Sequence, residues 1–173
     1  MNPGRPEPGE YAEFFGKYIA LTQSISDPIA ALELQLDEVP TLFHPLDAAK
    51  QAYRYAPGKW SLKELVNHIT DTERIFAYRA MRIARNDKTA LPGFDQDPFI
   101  EGSEADRVEW DALLNEFELV RKSSIQMLRN LPGAAWTRVG TVSGNAMSVR
   151  AMALVMHGHV AHHIGIVRQR YLV

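Results

Sequence analysis

The chain has no cysteine in 173 residues. Disulfides, thiolate metal ligands and cysteine nucleophiles are excluded together, so any strong ligand atom must be nitrogen or oxygen. No stretch approaches the roughly 18 consecutive apolar residues of a membrane span. Net charge is −2, with both signs dispersed and no basic run, which argues against nucleic-acid and membrane partners. No phosphate loop, dinucleotide fingerprint or Ser-His-Asp arrangement stands in the sequence. The segment Met1 to Glu10 contains no apolar core that could act as a secretory leader, and with the missing cysteines this predicts a cytoplasmic protein.

What is present is ordinary for a folded domain: 46% hydrophobic and 23% charged residues, enough for a real core. Residues 1–10, rich in Pro and Gly, read as a flexible lead-in, and 11–173 as a single domain.

Tyr11 to Leu21 carries enough apolar side chains for a short packed helix. Asp27-Pro28 predicts a helix start, with Asp as N-cap and Pro at the first helical position. That helix should run to about Leu42, with a kink or early end at Pro40. Ser61-Leu62-Lys63-Glu64 has the form of a capping box, and helical periodicity follows to about Arg85. Asn86 to Gly102 reads as a loop rich in Pro, Gly and Asp. A third long helix is predicted from Glu104 to Leu131, stopped by Pro132-Gly133. Trp136 to Gly144 is irregular or extended, with a pair of very short strands allowed up to Met147, and a final helix spans Ser148 to about Tyr171. Four long helices with mid-length connections predict a four-helix bundle, in which facing helices build sites from inward side chains.

Four of the six histidines fall in His157-Gly158-His159-Val160-Ala161-His162-His163. Residues four apart on a helix differ by about 40° in direction, so His159 and His163 share a face, on a shoulder of the helix's apolar stripe. His162 points away and His157 lies on the opposite shoulder. His68 occupies a shoulder of the second long helix, on the side of Thr72 and Arg79. Two imidazoles one turn apart and a third from another helix can make a metal site. Structural packing of His68, and a solvated or pH-responsive histidine cluster, are the alternatives the pattern leaves open. The spacing is not that of zinc proteases, because Val160 stands where their general-base Glu follows the first histidine. Asp95 and Asp97 read as a solvated turn, His44 as a surface residue, and Asp71 and Glu73 as decoration of a solvent-facing side.

Several segments together carry a family resemblance. They are Tyr55-Ala56-Pro57-Gly58-Lys59-Trp60-Ser61, Asn67-His68-Ile69-Thr70-Asp71-Thr72-Glu73-Arg74-Ile75-Phe76-Ala77-Tyr78-Arg79, Leu91-Pro92-Gly93-Phe94-Asp95 and Gly158-His159-Val160-Ala161-His162-His163. In this order and spacing the chain resembles the DinB-like (YfiT-like) superfamily of metal-binding proteins over roughly residues 11–172. The resemblance implies an all-α, up-down-down-up four-helix bundle, a homodimer, and a divalent metal ion, nickel or zinc. Carried over by position, the ligands are His68, His159 and His163.

The expected activity is that of a metal-dependent hydrolase or S-transferase acting on a small-molecule substrate, with a low-molecular-weight thiol as co-substrate in the second case. Relatives often carry Glu where this chain has Val160, so no catalytic acid–base residue is assigned. Asp71, Thr72, Arg79 and Trp60 are candidates to support the ligands or meet substrate, with Phe94 at the mouth. The alternative is a non-catalytic module in which the metal staples helices for dimerisation or partner binding.

Overall fold

Asp27 caps the first long helix as its sequence predicts: its carboxylate accepts hydrogen bonds from the amides of Ile29 (3.0 Å) and Ala30 (3.3 Å), and Pro28 occupies the first turn. In this computed structural model, which describes residues 2–172, that helix is α2 (Pro28–Phe43), preceded by a short α1 (Gly16–Ala20). Pro40 does not end α2. Phe43 is fully buried, and its carbonyl accepts the Trp110 indole N–H at 3.2 Å, so packing holds the last turn in place. A one-turn α3 (Ala48–Gln51) leads to α4 (Leu62–Ala84). The Ser61–Glu64 capping box is formed in both directions, at 3.1 and 2.8 Å.

Two stretches differ from the sequence expectation. Within the loop expected over 86–102, Asp95 accepts the Asp97 amide (3.2 Å) and starts α5 (Gln96–Ser103), which buries Ile100. Pro98 lies inside its first turn, where its missing N–H has no helical partner to lose. The third long helix, α6 (Trp110–Arg129), starts six residues later than expected. Glu104 adopts a left-handed conformation (φ 47°), and a single tight turn then places Asp106 to accept the Ser61 hydroxyl (2.5 Å). That contact ties the approach to α6 to the start of α4.

Val139–Val142 and Asn145–Ser148 form an antiparallel hairpin, β1 and β2, so the chain is helical but not all-α. Ser148 then caps α7 (Val149–Ile166), whose last turn widens into a π-helical segment, Val167–Tyr171. That wider turn aims Tyr171 at Trp60, whose carbonyl accepts its hydroxyl at 2.7 Å.

The four long helices form a bundle. α2 and α4 each pack against both α6 and α7, which puts α2 and α4 at diagonal corners. The N-terminal segment is attached to this frame, with Arg5 donating to Thr22 O (2.6 Å), and Glu10 accepting the Ser148 amide (2.9 Å) through its carbonyl and pairing with Arg150.

The apolar core is divided into two halves. One centres on Leu32, Phe76, Ile83, Leu128 and Met152, the other on Phe43, Leu65, Leu113, Phe117 and Ile164. A polar layer lies between them. Arg121 of α6 is fully buried and donates to both oxygens of Glu73 on α4 (2.9 and 3.1 Å) and to Gln35 Oε1 on α2 (2.7 Å). Gln35 in turn donates to His157 O on α7 (3.1 Å), so one network reaches all four long helices. Glu73 is therefore a core residue, not the solvent-facing carboxylate its neighbours suggest, because α6 supplies a buried cation opposite it.

Removing one partner strands the other charge in the core. We expect Glu73→Ala to lower unfolding free energy by about 3–5 kcal/mol in urea titration, and Glu73→Leu combined with Arg121→Met to recover most of that loss.

Candidate metal centre

The capping box sets where α4 begins, and His68 follows in its second turn. On α7, His159 and His163 lie one turn apart near the helix end. Gly158 permits what surrounds them. A Cβ there would lie 2.3 Å from Tyr18 O, so only glycine lets α1 lie this close to α7. The Tyr18 ring consequently meets His159 edge-on at 5.4 Å.

His68, His159 and His163 converge. His68 Nε2 is 3.1 Å from His159 Nε2, which is 3.2 Å from His163 Nε2. All three are buried, at 4, 4 and 8% exposure. Trp60 lies against the cluster, 4.6 Å from the His68 ring and 6.5 Å from that of His163, and Phe76 meets His159 at 5.7 Å.

Burial disfavours the charged imidazolium. It pushes His68 down to about 4, and holds His159 and His163 well below the ordinary histidine value, with mutual repulsion among the histidines adding to the effect. At neutral pH the site therefore offers uncharged nitrogen lone pairs, the form a metal requires. The donor set fits a borderline divalent ion. Two nitrogens about 2.0–2.1 Å from a shared ion, at tetrahedral to right angles, stand roughly 2.8–3.4 Å apart, and both observed separations fall in that range. His163 Nδ1 is buried with no hydrogen-bond partner among the described residues, so the cluster does not satisfy itself internally.

The remaining candidates divide. Thr72 and Arg79 line a cavity of about 450 Å³ with His68 and His159. Trp60 lines a second, of about 320 Å³, with His163. Asp71 is turned elsewhere, bonded to Asn67 (2.9 Å) and Arg74 (3.1 Å). Phe94 lines the first cavity. Asp95 and Asp97 are exposed, and His44 is at the surface, 3.7 Å from Asp111. His157 is half-buried with an unpartnered Nδ1, and His162 contacts Tyr18 at 5.5 Å.

Sequence reading missed Tyr18 and Phe76 as walls of the site. Phe76 belongs to the buried apolar face of α4 that helical period marks, but the docking of Tyr18 depends on the α1–α7 crossing, for which Gly158 is the one local sign.

A family model of the DinB superfamily matches residues 31–167. The chain belongs to the DinB superfamily. Its fold is similar to that of YfiT from Bacillus subtilis, described as a "probable metal-dependent hydrolase with an unusual four-helix bundle topology", with a TM-score of 0.70 and 16% identity over 97% of this chain and 93% of that one. No curated protein matches it.

In chelator-treated protein the buried histidines should make stability fall with acid. A folded-state value near 4 for His68, against 6.5 for the free side chain, means the contribution is complete above about 6.5 and is lost as pH falls toward 4. His159 and His163 act with the same sign. Urea midpoints measured between these pH values should drop, and His68→Phe should flatten the slope.

Proposed function

We propose that this DinB protein is a divalent-metal-dependent enzyme, of hydrolase or S-transferase type, with nickel or zinc held by His68, His159 and His163. The observation that carries this reading is the convergence of three buried, neutral imidazoles beside an open cavity. When bound, such an ion supplies Lewis acidity, lowering the pKa of a water or thiol that reaches it. The protein's own groups do the rest. Phe76, Tyr18 and Trp60 fix the ring planes and keep bulk water from the nitrogens, and the cavity on the His68–His159 side admits a small substrate. The description of YfiT as a probable metal-dependent hydrolase supports the same class.

The helix directions support the up-down-down-up course. The starts of α4 and α6 lie together, with Lys63 donating to Val108 O (2.6 Å), while the end of α2 meets the start of α6 through Phe43 and Trp110. α7 runs with α2, pairing His157 with Gln35 and Arg168 with Glu38 (3.2 Å), and against α4, whose Ile83 lies under Gly140 just before α7 begins. Cytoplasmic location and a homodimer are part of the proposal, resting on composition and the family resemblance. No helix among the described residues is long and apolar enough to cross a membrane.

A second reading, a metal staple without catalysis, is favoured by one observation. The Nε2 contacts link α4 to α7 directly, as a structural ion would. A closed structural site has no exchangeable position, whereas a catalytic one keeps a labile water.

Untagged protein should take up one nickel or zinc ion per chain by titration calorimetry and elemental analysis, and His68→Ala or His159→Ala should weaken uptake at least about 100-fold. A protein that takes up neither ion loses both readings. Uptake with no ligand exchange, together with a melting temperature that collapses on chelation, favours the staple.

A further inference from the structure

The larger cavity contains a charge that the histidines do not explain. Its floor is one face of α4: His68, Thr72, Phe76 and Arg79 follow at steps of four, four and three residues. Their side chains therefore project to the same side over three turns, roughly 16 Å of axial rise. Arg79 closes the end away from the histidines and is 4% exposed. Among the described residues no carboxylate pairs with it, in contrast to the fully buried Arg121, which Glu73 neutralises. Its Nη2 donates to Pro92 O at 2.7 Å, and its guanidinium lies 5.8 Å from the centre of the Phe94 ring. Nε and Nη1 have no protein acceptor among the described residues.

Midway along the floor, the Thr72 hydroxyl oxygen is buried and has no partner among the described residues. The Arg79 guanidinium, facing the cavity with no counter-charge among the described residues, is unfavourable there unless a ligand completes it, whereas the Thr72 oxygen is closed off from the cavity. The walls between them, Phe15, Phe76 and Phe94, are apolar. The arrangement is held rigidly. The Leu91 amide donates to Thr141 O, and the Ser143 amide to Leu91 O, both at 2.9 Å. These bonds pin the Leu91–Asp95 loop to the hairpin and so fix Pro92 and Phe94 against Arg79.

We propose that this cavity binds a carboxylate-bearing ligand with an aromatic or aliphatic body, its carboxylate on the open edge of Arg79 and its far end at His68 and His159. The planar fork of arginine matches a carboxylate in two parallel hydrogen bonds, while Phe76 and Phe94 cover the body. Because a helical arginine leans back toward the helix N-terminus, the span from carboxylate to histidine end is roughly 10 Å. Arg79 is thus a substrate-positioning residue that selects for charge and length. The assignment of the histidine end as the reacting end rests on the function proposed above; the carboxylate subsite does not require it.

Binding of 4-phenylbutyrate, its primary amide and 3-phenylpropylphosphonate, measured by ligand-observed NMR and calorimetry on the full chain as purified and again after chelation, tests the proposal. We expect the acid to bind at least about tenfold tighter than the amide in both preparations, with Arg79→Gln abolishing the difference and Thr72→Val leaving it in place. Equal binding of acid and amide by the wild-type chain overturns the proposal without recourse to any variant. A preference for the acid that disappears on chelation but survives Arg79→Gln also overturns it, because the carboxylate is then on the metal. A preference for the phosphonate over the acid overturns the choice of anion. Failure of metal uptake with the acid preference intact removes the metal reading and leaves the subsite standing.

Discussion

The buried contact between Arg121 and Glu73 is the constraint around which the rest of the bundle is arranged. An ion pair with no solvent access needs every donor satisfied, and Arg121 achieves this by drawing on Glu73 of α4, and on Leu32 O and Gln35 of α2. Gln35 then passes the connection to the α7 backbone at His157. Each helix is thereby held in axial register at one level, which greasy packing alone specifies weakly. The apolar clusters on either side can then close without sliding.

The register has a direct chemical consequence. His68 is five residues before Glu73 on α4, and His159 is two residues after His157 on α7, so the network that aligns these helices also brings the three histidines together. Convergence of Nε2 atoms to 3.1 and 3.2 Å requires axial placement within a fraction of a turn. The tight Gly158 crossing and the Trp60 ring then set the ring planes. Polar layer, glycine crossing and aromatic wall act on one set of atoms.

Local sequence signals specified the starts of three of the four long helices. Asp27-Pro28, Ser61 with Glu64, and Ser148 are caps whose hydrogen bonds reach only two or three residues ahead, so neighbours in the chain suffice to specify them. Helix interruptions were less legible. Pro40 is carried through by the packing of Phe43, and the delayed start of α6 follows from Asp106 reaching across to Ser61, an interaction between residues far apart in sequence. The α5 turn hid behind a proline-rich composition that normally marks a loop. The same limit applies to Glu73: its neighbours on α4 are Thr72 and Arg74, and nothing local announces that α6 presents a guanidinium to it.

By itself, the sequence determined the chemistry available: no thiolate, a His159–His163 pair one turn apart on a semi-apolar shoulder, and His68 on a second helix with Thr72 and Arg79 on its side. These follow from residue type and the 3.6-residue period, which are properties of the chain alone. Only the tertiary structure decided that the three rings share one point, that Asp71 faces away from it, and that Arg79 lies beside Phe94 with no carboxylate among the described residues to meet it. Distance between helices, and the presence or absence of a counter-charge, are set by how separate segments pack, and no periodicity along one segment encodes them.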